Sequence, residues 1–274
     1  MRFLSGWRHA LWLLLVCLVA GTPMLYALHY RSHRPLPPIW PIPDDPTAAR
    51  KAQMINLLYP IIHAHNQHLL DQRKRLLLLK RSAAHGTLPS SDQTWLLSLA
   101  QTYKLDLPQE QPFSPVWMDA LLRRVDIIPA DLALAQAASE SAWGTSRFAL
   151  QGNNYFGIWC FTAGCGLVPQ QRPEGASYEV QYFASIADNV DTYMLNINSH
   201  DSYQSLRQVR AALRAQHQPV TGKALSTGLI HYSGIGQDYV EQLKALMRHN
   251  SLKRFNRLGK PLSALPSTTP AAAG

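Results

Sequence analysis

Carboxylates and cysteines are both in short supply in this chain. Its 274 residues carry 17 acidic side chains against 26 Lys and Arg, and three cysteines in all. No histidine lies close in sequence to Cys160 and Cys165, so the pair argues against a zinc site, and no metal or cofactor is expected. The basic residues lack a pattern as well. They are scattered and interleave with no run of stacking aromatics, which argues against nucleic acid as a partner. With 46% hydrophobic residues, disorder of the whole chain is excluded. Of the formal charge of +9, residues 1–50 supply five arginines against two aspartates, so the remainder carries 9 − 3 = +6 and favours acidic surroundings.

Long uncharged runs are also rare, which makes the first one informative. Arg2 and Arg8 precede the run Ala10–Leu28, 19 residues without a charge, close to the roughly 20 that cross a bilayer. Residues 1–30 are expected to be an uncleaved inner-membrane anchor with the basic end in the cytoplasm, the alternative being a cleaved export signal. The rest of the chain would then face the periplasm. There Cys160 and Cys165, separated by four residues, can close a small disulfide loop. Six prolines between Pro35 and Pro46 make residues 31–48 an extended spacer.

Beyond the spacer the chain reads as helical. From about Thr47 to Lys80, Met54, Leu57, Leu58, Ile61, Ile62, Leu69, Leu70, Leu76 and Leu77 recur at helical spacing, with Pro60 inside. His63, His65 and His68 sit on this helix. The first two point about 200° apart, so they form no metal pair and are expected on a polar face. Ser90 with Gln93 reads as a capping box, and Ser114 as a cap followed by Pro115. These helices place an N-terminal helical region over residues 49–124. A further helix is expected from Pro129 to Gly144. Turns then lead to one small hairpin, with Tyr178, Val180 and Tyr182 on one face and Glu179 and Gln181 on the other. Ser185 with Asp188 caps the next helix, and residues 256–274 read as a disordered tail.

One carboxylate stands out. Glu140 lies near the carboxyl end of the Pro129 helix, with Trp143 close behind and no basic residue nearer than Arg147. The helix macrodipole and the neighbouring indole would both raise its pKa, as a general acid working near neutral pH requires. The segment beyond it, "GNNYFGIW", offers Asn153, Asn154, Tyr155, Phe156 and Trp159, side chains suited to sugar hydroxyls and pyranose faces. Here "AASESAWG" and "NNYFGI" resemble segments of the bacterial N-acetylglucosaminidases of glycoside hydrolase family 73. The resemblance implies a mainly α (α+β) fold, a lysozyme-like helical domain with a small β-hairpin lobe, over residues 125–255. It also implies peptidoglycan glycan strands as the substrate. Glu140 matches the family's catalytic acid, Asn154 and Phe156 match its groove segment, and "HYSGIGQDYVEQL" places Tyr232 and Tyr239 at its tyrosine positions. Gly236-Gln237 replaces a common Asp-Pro there.

Glycoside hydrolysis commonly uses two carboxylates. The family's second acid comes from the β-excursion, where Glu174, on the turn "RPEG", is preferred to Glu179. If neither serves, the substrate's acetamido oxygen could be the nucleophile. The leading expectation is thus a membrane-tethered endo-β-N-acetylglucosaminidase, with Glu140 and Glu174 catalytic and Trp143, Asn154, Phe156, Tyr232 and Tyr239 binding substrate. A muramidase or lytic transglycosylase on the same fold is one alternative. A catalytically silent peptidoglycan-binding scaffold is another.

Overall fold

Proline and aspartate together start the first helix. In the computed structural model, which describes residues 41–230, 234 and 236–256, the Asp45 side chain accepts from the Ala48 N–H at 2.7 Å and Pro46 occupies the first turn. Helix α1 (Pro46–Ala83) therefore begins where the spacer was expected to run on, and it passes through Pro60. Ile55, Leu58, Ile62, Leu69 and Leu76 are buried along it. Leu57 and Leu77, expected in the core, are 42% and 37% exposed. The histidines share no polar face. His63 is buried against Tyr59, His65 pairs with Asp191 at 2.7 Å, and His68 meets Gln72.

Helices α2 (Ser90–Thr102) and α3 (Pro115–Arg124) pack on the second half of α1, around Leu69, Leu76, Leu96, Leu99, Met118 and Leu121. The Ser114 cap forms, accepting from Trp117 N–H at 3.3 Å. The Ser90 box does not, because Ser90 is already helical and Gln93 turns its amide to the Leu88 carbonyl instead.

The link from α3 to helix α4 (Ala130–Ser141) is held from two sides. The Asn66 amide on α1 donates to Ile128 O at 2.7 Å and accepts from Ile128 N–H at 3.1 Å. Buried Asp126 is gripped by Arg214 through two bonds of 3.0 and 2.7 Å, with Arg73 at 3.4 Å. The three guanidiniums around Asp126, including that of Arg210, hold its carboxyl below the usual range against the opposing pull of burial. The Asn66–Ile128 bonds and the Arg73–Asp126 pair span residue 125, where the sequence suggested a boundary. Helix α4 is buried on every face from Ala130 to Ala138, and its small residues let neighbours approach closely.

Beyond helix α5 (Arg147–Gly152) comes the β-lobe. It is a three-stranded antiparallel sheet in the order β1 (Trp159–Cys160), β3 (Glu179–Gln181), β2 (Gly166–Leu167), not a single hairpin. Trp159 pairs with Val180, and Leu167 meets Val180 from the other side. Helix α6 (Ile186–Ser199) follows, capped as expected by Ser185, whose hydroxyl accepts from Asp188 N–H at 3.1 Å and donates to the Asp188 carboxylate at 2.8 Å. Helices α7 (Gln204–Ala215), α8 (Gly222–Leu225) and α9 (Gln237–His249) complete a mainly α fold with a small β-lobe. No helix of the described residues is long and apolar enough to cross a membrane. The run Ala10–Leu28 and the tail from residue 257 lie outside the described residues.

Candidate active site

Helix α4 ends one residue after Glu140, and the manner of its ending decides what surrounds the acid. Ala142 and Trp143 both turn left-handed, with φ of 50° and 58°, and Ser141 donates to Ala137 O while accepting from Gly144 N–H. The helix thus stops three residues short of its expected end. Trp143 is carried into a different cavity, beside Met54, Leu150 and Tyr155, with the Lys51 ammonium 5.0 Å over its ring. It does not line the groove that holds Glu140.

That groove, about 680 Å³, runs between the β-lobe and α6, and is lined by Glu140, Gly157, Trp159, Phe161, Tyr203 and Lys104 among others. The Glu140 carboxyl is addressed from the protein side by a relay of hydrogen bonds. The Tyr193 hydroxyl donates to Gln136 Oε1 at 2.7 Å, Gln136 Nε2 donates to the Tyr239 hydroxyl at 3.3 Å, and Tyr239 donates to Glu140 Oε1 at 2.9 Å. Gln136 is wholly buried and Tyr239 nearly so. The other carboxylate oxygen faces Gly157, whose φ is +65°; a Cβ there would lie 3.4 Å from it. A glycine at this point leaves the acid open to the groove.

Burial raises the pKa of Glu140, and the Tyr239 hydrogen bond partly opposes the rise. The direction is the one expected, but desolvation is the leading cause. Tyr203 is pushed up to about 12, first by burial and then by the negative charge of Glu140. Its hydroxyl therefore stays protonated and able to donate at neutral pH.

The remaining expected site residues separate into two groups. Tyr239 is brought onto Glu140. Phe156 lies beneath the groove, 2% exposed and stacked on Tyr193 with ring centroids 3.9 Å apart, so it supports the floor and offers little face to a sugar. Asn154 is no ligand group at all. Its amide donates to Ile158 O and Gln181 O at 2.8 and 2.9 Å and accepts from Ile158 N–H at 3.1 Å, which spends its hydrogen-bonding capacity on the backbone. Tyr232 lies outside the described residues.

Cys160 and Cys165 form the disulfide, closing the loop between β1 and β2. Glu179 braces the same loop, its carboxylate accepting from Gly164 N–H at 3.0 Å and Gly166 N–H at 2.8 Å, so it faces protein and not solvent. These two bonds hold its pKa below the ordinary value. Glu174 is exposed on a turn. Neither lines the groove, and among the described lining residues Glu140 is the only carboxylate.

The side chains best placed to stack on a sugar are Trp159, 53% exposed, and Phe161, 71% exposed, on the groove side of the β-lobe. Tyr178 stacks on Trp159 at 4.4 Å and fixes its plane. Gln136, Tyr193 and Tyr203 escaped sequence reading. Gln136 is one helical turn before Glu140, a spacing that could have drawn notice; no local pattern marks the two tyrosines.

Residues 117–252 match the glucosaminidase family described as mannosyl-glycoprotein endo-beta-N-acetylglucosaminidase. Protein bax of Escherichia coli (strain K12) is 32% identical over 201 residues, covering 73% of this chain and 70% of that one. A solved structure, the catalytic domain of the autolysin Auto from Listeria monocytogenes, aligns at 19% identity over 64% of this chain and 93% of that chain, with a TM-score of 0.36.

Proposed function

Because the chain belongs to the glucosaminidase family, we propose that it is an endo-β-N-acetylglucosaminidase of peptidoglycan, with Glu140 as general acid. The observation that carries this reading is the buried relay Tyr193–Gln136–Tyr239–Glu140, which ends in an open groove edged by Trp159 and Phe161. A carboxyl whose pKa burial raises, yet which faces the groove on one side, suits proton delivery to a glycosidic oxygen.

The protonated Glu140 gives its proton to the bridging oxygen as the bond to C1 breaks, and the departing sugar leaves with a hydroxyl. The cationic C1 then accepts an electron pair from the substrate's own acetamido oxygen. Water then attacks C1 and displaces the acetamido oxygen, breaking the bond just formed, while Glu140, now ionised, takes the water's proton. Glu140 as the sole carboxylate among the described lining residues supports this one-acid route over direct use of Glu174. The same observation favours one second reading, a lytic transglycosylase, in which the sugar's own 6-hydroxyl attacks C1 and no water is needed.

Mass spectrometry of the products released from peptidoglycan separates the two. A reducing N-acetylglucosamine end supports the glucosaminidase, a 1,6-anhydro end the transglycosylase, and a reducing N-acetylmuramic acid end a muramidase. Absence of cleavage overturns all three. Residues 10–28 are proposed to tether the enzyme to the inner membrane with the groove in the periplasm. Recovery of a soluble, amino-terminally trimmed chain on cell fractionation would refute the tether.

A further inference from the structure

A second cavity, about 480 Å³, lies behind one wall of the groove and is lined by Leu105, Arg123, Arg124, Asp201, Gln204 and Arg207 among others. The wall between them is the chain from Ser199 to Tyr203: Ser199, His200 and Tyr203 face the groove, while Asp201 faces the cavity. Two arginines grip that wall from behind. Arg124 Nη1 donates to Tyr103 O at 3.0 Å and Ser199 O at 2.5 Å, and Arg207 Nη1 donates to Ile197 O at 3.0 Å and His200 O at 2.7 Å.

Backbone carbonyls orient a guanidinium but do not neutralise it. Arg207 is 5% exposed, and among the described residues Arg123, Arg124 and Arg207 have no carboxylate within 4.0 Å. The one acid facing the cavity is Asp201, which is exposed. Three guanidiniums against one solvated carboxylate leave a net positive cavity. Arg207, the one nearly buried cation of the three, is offset only by the exposed Asp201; a further anion would relieve that cost, and a planar fork suits a carboxylate. Lys104, the residue before Leu105, lines the groove and adds a further positive charge there.

We propose that this cavity receives a carboxylate of the peptide carried by the glycan strand in the groove, so that the protein selects strands whose peptides are intact. This rests on peptidoglycan being the substrate. The shared wall makes the reach short, because a substituent passing over Ser199–Tyr203 leaves the groove and enters the cavity.

The test measures binding of the full chain, solubilised in detergent and carrying Glu140→Gln so that nothing is cut, to soluble strands with peptides and to the same strands stripped by an amidase. Intact strands should bind roughly five- to tenfold more tightly, as one or two charge-assisted bonds would give. Adding Arg123→Gln should remove that preference and leave binding to stripped strands unchanged. Arg123 is exposed and makes none of the bonds that hold the groove wall, so its variant tests the cavity without disturbing the groove. Equal affinity for the two strands overturns the proposal, as does equal weakening of both by Arg123→Gln. Binding of inorganic phosphate without any preference among strands would assign the cavity to free anions and also overturn it. Failure of the wild-type chain to cleave either strand would sink the glycosidase reading alone; cleavage with equal affinities would sink only this one.

Discussion

The two sides of the groove are built by opposite means. The helical side holds Glu140 through a buried relay that draws on α4, α6 and α9, so its geometry is set by the core of the molecule. The β-lobe has strands of two and three residues, and its shape depends on one disulfide, the two backbone bonds of Glu179 and the triple use of the Asn154 amide. The acid is thus fixed by packing and the sugar platforms by staples. Damage to the helical side should fall on the chemistry, and damage to the lobe on binding.

The largest expected effect tests the helical side. Glu140→Gln should abolish cleavage, by about 10²–10⁴-fold or more if the residue is the general acid. The same variant should melt no lower than wild type at neutral pH. Because burial raises the folded-state pKa of Glu140, its ionised form opposes folding: wild-type stability is fullest below the unfolded pKa and falls as pH rises through the folded one. Melting curves across pH would show the gap between variant and wild type closing in acid. Retention of more than half the activity in a folded Glu140→Gln chain would remove the helical side from catalysis.

A smaller change sharpens the same comparison. Tyr239→Phe removes the bond that lowers the Glu140 pKa, so the pH at which activity declines on the alkaline side should move upward, with a rate loss of about tenfold at neutral pH from the lost orientation. An unchanged pH profile would mean that the relay does not reach the reacting proton.

On the lobe, replacing both Cys160 and Cys165 by serine should lower stability by about 2 kcal/mol, the chain-entropy figure for so short a loop. KM should rise more than kcat falls, because Trp159 is the residue preceding Cys160 and stands at the root of the loop. Thermal melting with steady-state kinetics on isolated strands would check this. A fall in kcat alone would show that the two sides are not divided as described.

The smallest effects separate the two remaining acids. Glu179→Gln should weaken the loop, and the stability that its ionised form contributes should be lost in the wild type as pH falls through its depressed pKa. Glu174→Gln, on an exposed turn, should leave melting unchanged, and on the one-acid route should leave kcat within about twofold, compared with the larger losses that direct general acid or base groups give. A kcat loss near that of Glu140→Gln would instead restore Glu174 as a second catalytic carboxylate.

The residues themselves determined the parts of this protein that depend on neighbours in sequence. Ser114 and Ser185 cap the helices they precede because a cap bond spans only three residues. The disulfide was legible from spacing, and the place of Glu140 near the end of its helix from the residues around it. Where the sequence failed, the deciding contacts were distant or conformational. Tyr239 reaches Glu140 across 99 positions, and Asn154 is claimed by Gln181, which no local pattern announces. The left-handed turn at Ala142 and Trp143 sent the tryptophan to another cavity, although helical spacing put it beside the acid. Burial then did what the indole and the macrodipole were expected to do, since the desolvation of a carboxyl is set by everything packed around it and so exists only in the folded chain.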